Sequence, residues 1–359
     1  MELAERKSIV NIEGLVEDLA PEDQAIFKRI FHVTSTVGEL VPPPSMHPWI
    51  EKHFGSVEAV LKQRIIKITN LVTMEGALFN ELRASRPMEA KDARDLEEAI
   101  NAQKGGPFCR PLEGTPADVF GRVRGRHCIT ASNIAKYDGF HGLVIFENHN
   151  PLVFDVEEVK DYFDTALGWA RAAHQMDPEA RYFFLMWNCL WKSGASIIHG
   201  HIQLTLSKGM HYAKVEALRR AALAYREEYG SDYFADLYRI HEALGLGWRD
   251  GNVRGMAYLT PIKEKEIILI ASGLDDNLKE AVYRVLSRLT KELGVQSFNL
   301  ALYMPPLAEA PEDWEGFPHL IRIVDRGEPF NRTADFGAME LYAASVIASD
   351  PFQVAAALR

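Results

Sequence analysis

The run Trp187-Asn-Cys-Leu-Trp-Lys-Ser-Gly-Ala-Ser-Ile-Ile-His-Gly-His-Ile-Gln-Leu-Thr-Leu206 constrains this chain more than any other stretch. From Ile197 onward, branched apolar residues recur at alternate positions, which predicts a strand. Side chains alternate across a strand, so His199, His201, Gln203 and Thr205 share one face while Ile198, Ile202, Leu204 and Leu206 take the other. Gly200 leaves room between them. One face is fit to pack a core; the other presents two imidazoles and an amide in a row. Upstream, Ser193-Gly194-Ala195-Ser196 is a small-residue loop whose backbone N–H groups can approach an anion closely. A phosphate held there sits against the imidazole row. A zinc site is the competing reading, because His-x-His is a common ligand pair.

The remaining sequence narrows the setting. At 359 residues the chain can bury one large core or two similar halves. The net charge of −10 argues against a protein that coats nucleic acid or an anionic membrane. No apolar run approaches the roughly 20 residues of a membrane span, and the N-terminus lacks the apolar core of a signal peptide. The three cysteines, Cys109, Cys128 and Cys189, are scattered and odd in number, unlike a disulfide framework. The cytoplasm is the expected compartment.

Along the chain, residues 1–104 read as a mostly helical extension. One helix starts at Pro21-Glu22-Asp23, and another spans Ser56 to about Ile68. Residues 105–210 read as a first half. Here Arg126 to Glu147 forms paired strands around a Tyr137-Asp138-Gly139 turn, followed by a helix from Val156 to about Met176 and a strand from Tyr182. Residues 211–255 read as a helical linker, and 256–359 as a second half that repeats the order strand, helix, strand, loop, strand. No Walker loop or dinucleotide fingerprint occurs, so phosphate binding falls to the Ser193–Ser196 loop and nearby side chains.

His199-Gly200-His201-Ile202-Gln203, with Asn188, Gly194 and Ser196 ahead of it, resembles the histidine-triad superfamily in the branch of the galactose-1-phosphate uridylyltransferases. That branch also holds ADP-glucose and diadenosine tetraphosphate phosphorylases. The resemblance implies a duplicated α+β fold of antiparallel sheets with packed helices, of which only the first half carries the nucleophile, and a homodimer. It implies that His201 attacks the α-phosphorus of a nucleotide-sugar or dinucleotide and that a phosphate-bearing acceptor reopens the nucleotidyl-histidine. Gln203 and Ser196 would hold phosphoryl oxygens, with Asn188, Ser193 and Gly194 beside the nucleotide. Arg83-Ala-Ser-Arg86-Pro87 is similar to the family's phosphate-holding arginines, a task suited to the guanidinium fork; two solvated arginines is the plainer reading. Asn133 is similar to a nucleotide contact, or else caps a turn. Asp335-Phe-Gly-Ala-Met-Glu-Leu341 loosely resembles the family's sugar-recognising segment, with Glu340 the candidate contact, or else Glu340 is solvated.

Many relatives bind zinc through Cys-x-x-Cys and two histidines. Here Cys109, His149 and His199 match three of the four places and Gly106 occupies the first cysteine's. The chemistry is expected to require no cofactor; because Gly106 replaces a ligand and a structural zinc usually takes four, zinc at this degenerate site is expected to be sub-stoichiometric or absent. A non-catalytic nucleotide-binding protein is the alternative of a different class.

Overall fold

The computed structural model describes residues 7–80, 82–83 and 95–359. The chain is a mixed α+β protein built on two sheets. The larger contains β4 (Cys128–Ser132), β5 (Phe140–Phe146), β6 (Tyr182–Asn188), β7 (His201–Ser207), β8 (Gly247–Asp250), β9 (Val253–Ala257), β10 (Ile267–Ala271), β11 (Phe298–Tyr303) and β12 (His319–Asp325). The smaller contains β1 (Phe31–Glu39), β2 (Lys62–Asn70), β3 (Gly76–Phe79) and β13 (Ser345–Ile347).

The nine strands of the larger sheet run in the order β4-β5-β7-β6-β11-β12-β10-β9-β8, antiparallel throughout. Leaving aside the edge strand β8, β4-β5-β7-β6 and β9-β10-β12-β11, each taken inward, follow the same chain order. Each places a helix between its second and third strands: Val156–Met176 after β5 and Asp276–Lys291 after β10. The two runs meet where β6 pairs with β11, Leu185 opposite Leu302 through Asn188 opposite Asn299.

Local chemistry explains the helices. Asp155 caps the Val156–Met176 helix by accepting from the Glu158 amide, and the Glu158 carboxylate returns a bond to the Asp155 amide. Val159, Tyr162, Phe163, Ala166, Trp169, Ala170 and Ala173 fall on its inward stripe and are buried. Trp169 lies so close to β5 that a Cβ on Gly142 would come within 2.5 Å of its ring, so the strand needs glycine there. Among the described residues, no helix is long and apolar enough to cross a membrane.

The structure departs from the sequence reading at three places. The segment from Ser56 to Ile68 is helical only over Glu58–Leu61 and then becomes β2, which pairs with β1 and β3 and buries Ile66, Ile68 and Asn70 on one face. The N-terminal region thus sets the three strands β1–β3 among its helices; isoleucine and threonine in β2 suit a pleated surface better than a helix. The stretch 211–255 holds two helices, Ala213–Tyr229 and Tyr233–Leu244, but ends in the β8–β9 hairpin. Its turn, Gly251-Asn252, is a two-residue hairpin loop. Strand β7 begins at His201 rather than Ile197.

A buried charge cluster ties the two sheets together. Arg322 on β12 donates to Glu266 at 2.6 Å and to Glu75, beside β3, at 2.7 Å. Glu266 is fully buried and Arg322 nearly so. Removing the guanidinium alone would strand the buried Glu266 carboxylate, whereas replacing Arg322 and Glu266 together with apolar residues leaves only Glu75, which is partly exposed and accepts from Tyr258. Arg322→Ala is therefore expected to cost about 3–5 kcal/mol in chemical denaturation, and Arg322→Met with Glu266→Leu far less. A single-variant loss below about 1 kcal/mol would contradict this account of the seam.

Candidate functional site

The centre of the site is the entry to β7. His201 is buried, and its Nδ1 lies 2.8 Å from the His199 carbonyl oxygen. A carbonyl only accepts, so the ring proton resides on Nδ1 and the lone pair on Nε2. Burial pulls the His201 pKa below its ordinary value, outweighing the opposing bond to His199, which keeps the ring neutral. The Phe108 ring stands edge-on to it, centroids 5.2 Å apart. The product is an imidazole with a fixed tautomer and one bare nitrogen, the form required of a nucleophile.

Gln203 follows on the same face, also buried. Its Oε1 lies 3.1 Å from Nε2 of His141, a β5 residue that the sequence reading passed over. No periodicity marks His141 as different from its neighbours; only the strand pairing brings it beside Gln203. On β6, Asn188 accepts at Oδ1 from Nδ2 of Asn299 at 2.6 Å, which leaves the Asn188 amide NH2 uncommitted to that bond. Asn299 in turn accepts from Arg326 at 2.5 Å, and Arg326 is paired with Asp335. Asn299 and Arg326 are second-half residues that the sequence reading did not single out.

The small-residue loop is wound differently from expectation. The amides of Ser193, Gly194 and Ala195 bond back to Leu190 or Trp191, and the Ser193 hydroxyl donates to the Leu190 carbonyl at 2.7 Å. Ser193 and Gly194 thus use their own donors inside the turn, which Gly194 closes at φ +99°. Ser196 is exposed, with no hydrogen-bond partner among the described residues. Any anion held by this loop meets it from Ser196 onward.

Asn133 serves a turn. Its Oδ1 accepts from the Ala135 amide, and its Nδ2 abuts the His141 ring. Arg83 and Glu340 meet in a separate cleft of about 590 Å³, shared with Lys192, Lys263, Arg326 and Asp335. Neither His201 nor Gln203 lines it. Glu340 accepts there from the Gly337 amide at 2.8 Å. Arg86 lies outside the described residues.

Cys109, His149 and His199 converge beside His201. The Nδ1 atoms of the two histidines are 3.1 Å apart, and Sγ of Cys109 lies 3.3 and 3.4 Å from them. Nε2 of His149 donates to the Ile100 carbonyl and Nε2 of His199 to that of Phe146, each at 2.8 Å. Both ring protons being spent on carbonyls, two Nδ1 lone pairs face each other and the sulfur, whose single thiol proton can serve only one of them. Burial holds the His199 pKa down to about 4, so ring protonation does not relieve the crowding. A soft divalent cation does. Ring N–H groups committed to backbone carbonyls are the usual outer support of such ligands, and tetrahedral zinc with ligands at about 2.1–2.3 Å separates them by roughly 3.4–3.7 Å. The residues present fit zinc with three protein ligands. Gly106 brings no fourth donor.

No protein-family model and no curated protein matches this sequence. Solved structures do match its fold. An ADP-glucose phosphorylase from Arabidopsis thaliana, solved with bound ADP-glucose, is 18% identical with a TM-score of 0.61, over 80% of this chain and 96% of that one. A GALT-like protein from the same plant is 17% identical with a TM-score of 0.60, over 81% and 97%. A uridylyltransferase is 17% identical with a TM-score of 0.56, over 82% and 97%. The fold is therefore that of the uridylyltransferase-like proteins; at such identity the likeness carries the fold alone.

Proposed function

We propose that this protein is a nucleotidyltransferase working by double displacement through His201. The observation that carries the reading is the fixed tautomer: Nδ1–H bound to the His199 carbonyl, Nε2 bare, on a buried neutral ring. Nε2 attacks the α-phosphorus of a nucleotide donor, and the bond from phosphorus to the bridging oxygen breaks. The leaving group departs as a phosphate anion that needs no proton. While phosphorus is bonded to Nε2, the ring carries positive charge, which the His199 carbonyl stabilises through Nδ1–H. An acceptor phosphate oxygen then attacks the same phosphorus and returns the electron pair to Nε2. Gln203 and Ser196 steady the phosphoryl oxygens.

The leading substrate reading is a UDP-sugar exchanging with a sugar 1-phosphate. ADP-glucose phosphorolysis is the second reading, favoured by the fold likeness to ADP-glucose phosphorylase. The repeated strand order supports a duplicated histidine-triad fold whose second half frames the site without supplying the nucleophile. We read the protein as a homodimer, by the same family resemblance.

Zinc held by Cys109, His149 and His199 would brace the segment that leads into His201 and supply no chemical step. Elemental analysis of protein prepared with zinc is expected to find close to one zinc per chain, abolished by Cys109→Ala. An unmodified chain that retains none would contradict the three-ligand site.

His201→Ala is expected to lower turnover by several orders of magnitude while the thermal midpoint stays near that of the unaltered protein. UDP-glucose, ADP-glucose and a diadenosine polyphosphate are the donors to assay, against galactose 1-phosphate and inorganic phosphate. Near-normal turnover by His201→Ala would rule the mechanism out. Binding of nucleotides without turnover of any pair would favour a non-catalytic nucleotide-binding protein.

A further inference from the structure

We propose that His141 is a positioning residue for Gln203, setting which end of its amide faces the transferred phosphoryl group; this rests on the reading of His201 as nucleophile. His141 is fully buried on β5, diagonal to Gln203 across the ladder, since Leu143 pairs with Gln203 and His141 with Thr205. Its Nδ1 accepts from the Tyr137 backbone amide at 2.9 Å. A backbone N–H has neither a tautomer nor a rotamer to change, so that nitrogen must be bare. Burial disfavours the charged ring, which therefore carries its one proton on Nε2.

The Nε2–H then has a definite target. Oε1 of Gln203 is 3.1 Å away and accepts it. Nδ2 of Asn133, at 3.2 Å, is itself a donor and cannot compete, because its Oδ1 is held by the Ala135 amide. The Tyr137 ring stacks on His141, centroids 4.5 Å apart and planes 24° from parallel, and limits rotation of the imidazole. Gln203 is thus locked with its oxygen toward His141 and its NH2 as the free end. A phosphoryl oxygen needs donors, so this orientation suits a phosphate. Without His141 the amide could flip and present its oxygen to an anion.

The test has two arms. Selective 15N-histidine labelling should show His141 as the neutral Nε2–H tautomer, its signals assigned by their loss in His141→Gln. An Nδ1–H tautomer would overturn the proposal whatever the substrate proves to be. In single-turnover experiments with the nucleotide donor that the unaltered protein turns over, His141→Leu is expected to slow nucleotidylation of His201 by about 10- to 100-fold, the usual scale for an orienting partner. Donor Kd should stay within about twofold, and His141→Gln, which keeps a donor near the Nε2 position, should recover most of the rate. Gln203→Leu combined with His141→Leu should be no slower than the slower single variant, because the two act as one unit. Multiplicative losses, or loss without rescue by His141→Gln, would also overturn it. If the unaltered protein is never nucleotidylated, the reading of His201 fails, and the tautomer arm decides the geometry of His141 alone.

Discussion

The pairing of β6 with β11 is the interaction on which the rest depends. It joins a four-stranded run and a five-stranded run into one continuous sheet, and it sets Asn188 opposite Asn299. The segment that follows β6 is then fastened from the second half as well. The Cys189 amide donates to the Phe298 carbonyl, and the Ser297 hydroxyl to the Cys189 carbonyl. Trp191 donates to the Pro329 carbonyl, and Lys192 to those of Asn331 and Thr333. A small-residue loop has little side-chain packing of its own to hold its shape. Here the segments around β11 and β12 supply that constraint.

A second constraint runs through the histidines. His141, His149, His199 and His201 each commit one ring nitrogen to a backbone group. Tautomers are therefore set by groups that cannot adapt, and the second nitrogen of each ring is directed by default. For His149 and His199 that directs two lone pairs at one point, with Cys109. For His201 it leaves Nε2 bare, and for His141 it supplies a donor to Gln203. Burial reinforces the pattern for His141, His199 and His201 by disfavouring the charged rings.

Much of this was legible in the sequence where local chemistry and tertiary packing agree. The Val156–Met176 helix has its capping box and apolar stripe in plain view, and β7 shows its two faces by alternation. Strand β2 was not legible, because Lys62 to Asn70 packs as a strand only once β1 and β3 flank it. The β8–β9 hairpin did carry a turn signal, Asp250-Gly251-Asn252, hidden behind two helices that made the region read as a linker. His-x-His, Cys109 and His149 could be picked out as chemistry-bearing types. Tautomers, the inward turn of the Ser193–Ala195 amides and the contact between His141 and Gln203 are properties of hydrogen-bond geometry, and no residue pattern encodes them.

The central claim is that a bare Nε2 on His201 takes up a nucleotidyl group. Intact-mass measurement after brief exposure to each nucleotide donor, followed by fragmentation to locate the adduct, tests it most directly. One added nucleoside monophosphate per chain is expected, on His201, acid-labile and alkali-stable as a phosphorus–nitrogen bond should be, and discharged by the matching acceptor. An adduct on another residue, or none from any donor that the folded protein demonstrably turns over, would contradict it.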